Sequence, residues 1–146
     1  MLLSDIKLRP ANESDIDIIL AWWALPEIRK HTGATAIPDF QEVRHSLAHP
    51  GRRDYMIMFQ GRRVGRTCLI PHQGFEELSV YVCELALQGK GVGKTAISLT
   101  AEFARSGQLR AWILRNNFAS QKAFVANGFR LLSEEGDAYW YARHLG

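Results

Sequence analysis

The sequence predicts an α/β or α+β fold built on one main sheet of six to seven strands, flanked by about four helices. Three observations support this prediction. Short alternating apolar runs are interspersed with stretches of helical spacing, which indicates strands and helices mixed along the chain. A strand-helix-strand order in the middle requires a parallel pair in an otherwise mostly antiparallel sheet. The 146 residues, 47% of them hydrophobic, fit one domain spanning 1–146.

The N-terminal part predicts one strand and two helices. The strand covers 6–9 and stops at Pro10. The first helix runs from about residue 14 until Pro26 ends it. Its apolar stripe at helical spacing comprises Ile16, Ile19, Leu20 and Trp23. The second helix, at 39–48, begins with an Asp-x-x-Glu capping box, and a His-Pro-Gly sequence stops it.

Three strands follow, each bounded by a turn signal. They cover 55–60, 64–70 and 77–87, and Gly61 and Pro71 mark the turns. Successive side chains of a strand point to opposite faces of the sheet. In the longest strand, one face therefore carries Leu78, Val80 and Val82, and the other carries Glu77, Ser79, Tyr81 and Cys83.

The remaining chain alternates helix and strand and closes with a hairpin. A helix at 91–106 carries the apolar residues Val92, Ala96, Leu99 and Phe103 on one face. The strand 109–114 follows, and then a helix at 118–127 that an Asn-Gly pair ends. The strands 129–132 and 138–143 are joined by a Gly-Asp turn.

Charge and cysteine content argue against several functional classes. The net charge is +3 and the sequence pI about 9.1, but no Lys/Arg block is long enough for a nucleic-acid arm. No apolar run approaches the ~20 residues of a membrane span, and the start lacks a signal-peptide pattern. Cys68 and Cys83 lie in apolar runs without metal-type spacing. We therefore expect a cytoplasmic protein that uses no metal and binds neither nucleic acid nor membrane.

The most informative segment, 88–95, has the sequence QGKGVGKT and lies between a predicted strand and a predicted helix. Gly89, Gly91 and Gly93 allow a sharp turn and a close approach of the backbone to a ligand. The first N–H groups of the following helix are unpaired and carry partial positive charge. The segment therefore predicts an anion site suited to phosphate or pyrophosphate.

One interpretation of this segment is the P-loop of nucleotidases, because it ends like the pattern GxxxxGK[ST]. That pattern requires glycine where Gln88 stands. The next strand, 109–114, also lacks a Walker-B aspartate at its end. A small nucleotidase is therefore the weaker alternative.

The segment 88–93 matches the Q/R-x-x-G-x-G/A signature of the GNAT N-acetyltransferase superfamily, which this chain resembles over nearly its whole length. A second segment, from Asn117 to Phe129, resembles the family's N-x-x-A/S…Y…G-F motif, except that Phe124 replaces the tyrosine. The Leu-Arg-Pro opening and the double tryptophan resemble the branch with ribosomal-protein N-terminal and nucleotide-amino-sugar acetyltransferases.

The resemblance implies which residues bind acetyl-CoA, the acetyl donor. Backbone N–H groups of the glycine-rich loop would bind the CoA pyrophosphate, at Gln88, Gly89, Gly91, Val92, Gly93 and Lys94. Cys83 would present its backbone N–H to the thioester oxygen. Asn117 and Ser120 would contact the pantetheine arm, although Asn117 alternatively caps the last helix. The Lys94 side chain is either a phosphate contact or a solvated lysine.

The implied reaction is direct attack of a primary amine on the acetyl carbonyl, without a covalent enzyme intermediate. An alkyl ammonium has a pKa near 10.4, so a general base is expected to deprotonate it. The family position of this base is Glu77, with Glu76 and Glu84 as alternatives. A carboxylate in solvent is an equally good interpretation of Glu77.

The proton donor to the leaving thiolate is not identified by the sequence. Phe124 stands where many family members have a tyrosine, and phenylalanine donates no proton. Tyr81 and Tyr139 are possible replacements. A non-catalytic domain that binds or senses acetyl-CoA is therefore a further alternative.

The acceptor is expected to be a small-molecule amine or a protein N-terminus. An amino sugar, free or nucleotide-linked, ranks slightly ahead of the others. Trp22 lies off the stripe of the first helix, so an exposed Trp22 together with Arg29 would contact the acceptor. A core Trp22 and a solvated Arg29 are the alternatives. We expect a monomer or a homodimer.

Overall fold

A computed structural model describes residues 2–146 and contains seven strands and five α-helices. The strands are β1 (Ile6–Pro10), β2 (Arg53–Phe59), β3 (Arg62–His72), β4 (Phe75–Val82), β5 (Gln108–Leu114), β6 (Arg130–Glu135) and β7 (Ala138–His144). The helices are α1 (Ile16–Trp23), α2 (Pro26–Arg29), α3 (Phe40–Ala48), α4 (Val92–Ala101) and α5 (Phe118–Val125).

One mixed sheet contains all seven strands in the order β1-β2-β3-β4-β5-β7-β6. Every neighbouring pair is antiparallel except β4 and β5, which are parallel. Among the described residues, β4 and β5 pair only at Glu76 with Leu109 and at Glu77 with Arg110. Both strands continue beyond this point, so a gap opens between their C-terminal halves. The predicted mixed sheet with one parallel pair is confirmed.

The helices cover both faces of the sheet. On one face α4 and α5 pack over the strands, with a core that includes Leu78, Ile97, Leu109, Phe124 and Phe129. On the other face α1, α2 and α3 form a second core that includes Ile16, Ile19, Trp22, Ile28 and Val43. The fold therefore has three layers, as expected for an α/β fold. No helix in residues 2–146 is long and apolar enough to cross a membrane.

Some element boundaries differ from the prediction. The long strand ends at Val82, and a 3-10 turn over Leu85–Leu87 follows it. Helix α4 ends at Ala101, and the Phe103 side chain is exposed and stacks on Tyr55. A fifth helix, α2, starts directly after α1. Pro26 is its first residue, a position where the missing N–H of proline carries no penalty.

A network of ionic hydrogen bonds fixes the start of α1 against the sheet. The Asp15 carboxylate is fully buried and accepts hydrogen bonds from both terminal nitrogens of Arg9, at 3.0 and 2.8 Å. It also accepts bonds from Arg63 of β3 and from the Asn12 backbone N–H. Burial alone would raise the pKa of Asp15, but these bonds outweigh burial and lower it. The network holds α1 over β1 and β3 and thereby positions its last turn.

Candidate active site

The glycine-rich loop ends at the first turn of α4. Gly89 and Gly91 have φ values of +76° and +86°, in the left-handed region that favours glycine. Gly91 is the N-cap residue, and no side chain caps the helix. The first α4 bond runs from the Thr95 N–H to the Gly91 carbonyl at 3.0 Å. The N–H groups of the first turn, including Gly93, therefore remain available to an anion.

The loop lies directly beside the gap in the sheet. The Gln88 side chain donates through Nε2 to the Val82 carbonyl at 2.9 Å, which attaches the loop to the end of β4. The Gln88 backbone N–H donates to the Leu85 carbonyl at 3.2 Å, so its expected role as a donor to pyrophosphate is corrected. A Cβ built on Gly93 would lie 3.6 Å from Val82 Cγ2, so the helix start packs on the same residue. The unpaired N–H groups and the gap are thus contiguous. Together they fit an elongated donor that carries a pyrophosphate at one end.

The assignment of the Cys83 backbone N–H to the thioester is corrected by the structure. This N–H donates to the Val64 carbonyl of β3 at 2.9 Å, so it is not free for a ligand. The Cys83 side chain is buried, and burial raises the pKa of its thiol to about 12, although the charge of Arg66 opposes this. Cys83 is therefore a core residue beside the site and not a nucleophile.

The segment from Asn117 to Phe129, the second of the two motifs in the sequence, begins at the start of α5. The Asn117 side chain accepts a hydrogen bond from the Ser120 N–H at 3.2 Å, so Asn117 caps α5, as the alternative interpretation had it. Contact of either residue with the pantetheine arm stays a prediction. Phe124 is buried in the core, edge-on to Phe129 at 4.9 Å between ring centroids. This position therefore contributes packing to the core on the α4 and α5 side of the sheet.

A cavity of about 290 Å³ lies on the opposite face of the sheet, between α1 and α3 and the strands β3 and β4. Its polar and aromatic lining suits a small ligand. The lining comprises Trp23, Pro38, Glu42, Val43, Ser46, Arg52, Arg66, Cys68, Ile70, Glu77, Ser79 and Tyr81. Tyr81 faces this cavity, and its neighbour Val82 faces α4. Strand β4 therefore lies between the cavity and the glycine-rich loop.

Of the three candidate base carboxylates, the structure places one in the cavity. Glu77 lines it, and its carboxylate lies 3.0 Å from His72 Nε2. Glu76 is buried and bonds to the backbone N–H groups of Arg105 and Ser106 on the α4 side of the sheet. Glu84 forms an ion pair with Arg62 outside the cavity. The predicted alternation of side chains along β4 is therefore confirmed.

The predicted acceptor residues need correction. Trp22 is 9% exposed and packs in the α1 core, so the core interpretation of Trp22 holds and the exposed one does not. Arg29 does not line the cavity. It donates to the Trp23 carbonyl at 2.7 Å and so closes the C-terminal end of α1. The side chain that does face the cavity from α1 is that of Trp23.

Sequence reasoning also missed Arg66, a buried arginine in the middle of β3. Its guanidinium lies 5.3 Å from the ring centroid of Tyr81 and 5.9 Å from that of Trp23. The signal was present in the sequence, because Arg66 is the one charged residue of the predicted strand 64–70. Arginine is rarely buried without a partner or a function.

The two tyrosines suggested as proton donors lie in different surroundings. Tyr81 lines the cavity, and burial raises the pKa of its phenol. Tyr139, on β7, is half-buried, with its ring 4.7 Å from the Arg115 guanidinium and its hydroxyl 3.3 Å from Arg115 Nη1. Within residues 2–146 no group of His, Cys, Asp and Glu is arranged to hold a metal ion. The expectation of a metal-free reaction stays a prediction.

An uncapped helix start and a gap in the sheet thus adjoin one another, and a small cavity with a polar and aromatic lining lies on the opposite face of β4. The model of the GNAT acetyltransferase domain matches residues 5–130, and the chain belongs to this family. The P-loop alternative is therefore wrong.

Two curated relatives match most of the chain. It is 25% identical to the uncharacterized protein MJ1062 of Methanocaldococcus jannaschii, over 94% of this chain. The chain spans only 30% of the length of that relative. It is 24% identical to the acetyltransferase PseH of Campylobacter jejuni, over 88% of this chain and 85% of PseH.

Two solved structures illustrate the likeness in fold. Aminoglycoside acetyltransferase AAC(6')-Ib in complex with coenzyme A has a TM-score of 0.80 at 15% identity, covering 95% of this chain and 94% of the other. A ribosomal-protein-alanine N-acetyltransferase from Brucella melitensis has a TM-score of 0.81 at 21% identity, covering 95% and 99%. At these identities the similarity concerns the fold.

Proposed function

We propose that this chain transfers the acetyl group of acetyl-CoA to a primary amine by direct attack. The observation that carries the proposal is the uncapped start of α4, whose free N–H groups adjoin the gap beside β4. Pyrophosphate on these N–H groups would place the rest of the donor along the gap. The amine would approach from the cavity on the other face, next to Tyr81.

Glu77 is the proposed base. An alkyl ammonium must lose a proton before it attacks, and its pKa near 10.4 leaves little free amine at neutral pH. Of the carboxylates proposed from sequence, Glu77 is the one that lines the cavity, on the strand that borders the gap. Its contact with His72 holds the carboxylate in place. It accepts the proton directly or through a water molecule.

Tyr81 is the proposed proton donor to the thiolate that leaves. A thiol with a pKa near 8.5 leaves unassisted at neutral pH at a cost of roughly 2 kcal/mol, so a donor gives a modest gain. Burial raises the pKa of the Tyr81 phenol, which keeps its proton in place at neutral pH. We prefer Tyr81 to Tyr139 because Tyr81 lines the cavity.

Titration calorimetry of the protein with acetyl-CoA tests the proposal first, with Mg-ATP as the control. We expect binding of acetyl-CoA and none of Mg-ATP, followed by turnover with at least one amine of a panel. Absence of acetyl-CoA binding would remove the proposal. Binding without turnover of any amine would favour the alternative, a module that senses acetyl-CoA.

Replacement of Glu77 by glutamine is expected to lower the rate of acetylation about 100-fold at neutral pH. The effect should shrink above pH 9, where free amine is plentiful. The pH–rate profile of the variant checks this, and Glu84→Gln is the matched control, because Glu84 lies outside the cavity. A Glu77→Gln profile that parallels the wild type at all pH values excludes Glu77 as the base.

A further inference from the structure

Arg66 is the buried cation of the cavity that has no ionic partner within residues 2–146. It is 9% exposed, and no carboxylate of the described chain lies within salt-bridge distance of its guanidinium. The neighbouring Arg52 differs, because its guanidinium donates to both oxygens of Asp54 at 2.9 and 3.0 Å. Of these two arginines of the cavity, only Arg66 has its donors available.

The Arg66 side chain is mostly buried and meets only the cavity, and such a charge without an ionic partner is costly to keep. The aromatic rings of Trp23 and Tyr81 offset part of that cost, since a desolvated cation over a ring gains about 2 kcal/mol. The rings orient the guanidinium but offer no acceptor for its five N–H donors. An anion that enters the cavity would supply the missing acceptors, and a carboxylate or phosphate matches the planar fork.

The cavity lining also carries charges of both signs, because Arg52 and Arg66 are basic and Glu42 and Glu77 are acidic. Arg66 pairs in register with Tyr81, and Glu77 lies four residues earlier on β4, about 13 Å along the strand. The side chains of both residues line the same cavity. A ligand with an amine and an acidic group is complementary to this arrangement. A polycationic acceptor would face repulsion from Arg66.

We propose that Arg66 is a specificity-determining residue that binds an anionic group of the acceptor, a carboxylate or a phosphate. The identification of the anion as part of the acceptor rests on the proposed function. Binding of an anion at Arg66 does not itself depend on turnover. The acceptor is thus an acidic amine small enough for a cavity of about 290 Å³.

Two pairs of probes test this proposal by NMR of the Arg66 Nε–H signal in the protein saturated with CoA. Glycine is compared with glycinamide, and 2-aminoethyl phosphate with 2-aminoethanol. We expect at least one acidic probe to bind about 50-fold more tightly than its neutral counterpart and to shift the Arg66 signal. The two pairs distinguish a carboxylate from a phosphate.

Variants separate this role from a structural one. Arg66→Met should abolish the preference for the acidic probe, with acetyl-CoA affinity kept and the melting temperature unchanged or higher, because an apolar side chain suits the buried position. Arg66→Lys should restore part of the preference. Arg110→Met is the matched control, because Arg110 also lies over a ring, that of Phe75, but outside the cavity. It should keep the full preference.

The proposal is overturned if neither acidic probe binds, if both members of each pair bind equally, or if Arg66→Met keeps the preference. Acetyl-CoA binding and turnover of a neutral amine would then leave the proposed function intact. Conversely, Arg66-dependent anion binding in a protein that does not bind acetyl-CoA would support the anion site and remove the proposed function.

Discussion

Gly93→Asp is expected to weaken acetyl-CoA binding about 100-fold without destabilising the protein. Gly93 lies in the first turn of α4, where a carboxylate is favourable to the helix. A Cβ there meets only Val82 Cγ2 at an ordinary 3.6 Å. The new carboxylate would interact with the same N–H groups that the pyrophosphate needs and would repel it. At close range this repulsion amounts to about 1–4 kcal/mol.

Calorimetry measures the affinity and a melting curve measures the stability. The matched control is Gly93→Asn, which has the same shape without the charge. We expect the aspartate variant to bind at least about 10-fold more weakly than the asparagine variant, with a difference that shrinks as salt is added. Equal affinity of wild type and both variants would show that the start of α4 is not the pyrophosphate site.

Glu76→Gln is expected to destabilise the fold by about 3 kcal/mol and to lower the melting temperature by about 10 °C. Oε1 of the buried Glu76 accepts the N–H groups of Arg105 and Ser106 at 2.6 and 2.9 Å, and Oε2 accepts the Arg53 guanidinium. Glutamine keeps one oxygen acceptor but turns an NH₂ donor toward Arg53. Loss of a charged partner in a buried network explains the size of the effect.

The same network predicts an acid-sensitive stability. Burial alone would raise the pKa of Glu76, but the bonds from Arg105, Ser106 and Arg53 lower it overall. A lowered folded-state pKa gives stability that is complete above the unfolded pKa of about 4 and is lost as the pH falls through the folded value. Melting curves below pH 4 should therefore converge for wild type and Glu76→Gln. A constant difference between them would contradict this role.

The same substitution at the neighbouring Glu77 provides a direct comparison of the two glutamates. Glu77 faces the cavity and Glu76 faces the α4 side of the sheet. We therefore expect the substitution at 77 to change the rate and spare the melting temperature, and the substitution at 76 to do the reverse. An equal loss of stability in both variants would contradict the assignment of separate roles.

The strand and helix order could be predicted because periodicity is a local property of the sequence. Alternation along β4 placed Glu77 on the same face as Tyr81, and glycine spacing located the loop before α4. The packing partners were not predictable. Glu76 is held by backbone groups 29 and 30 residues later in the chain, which no local pattern encodes.

The double tryptophan shows where helical spacing reaches its limit. Ile16, Ile19 and Trp22 are buried at intervals of three, although the stripe was predicted to run through Trp23. An eight-residue helix has barely two turns, so neighbouring residues at its end are poorly separated by angle. Trp23 also points toward the sheet, but its side chain lines the cavity. Arg66 is visible in the sequence as a charge within a strand, but its place in a site was not predictable, because only the packing of α1 and α3 creates the cavity.

The unpaired C-terminal halves of β4 and β5 have a consequence for the resistance of the protein to proteolysis. Strand groups that find no partner in the sheet are available to a donor that enters the gap. Any donor that binds the folded chain alone adds RT ln(1 + [L]/Kd) to its stability, about 2.7 kcal/mol at one hundred times Kd. The fraction of chains open to proteolysis is therefore expected to fall as the concentration of the donor rises.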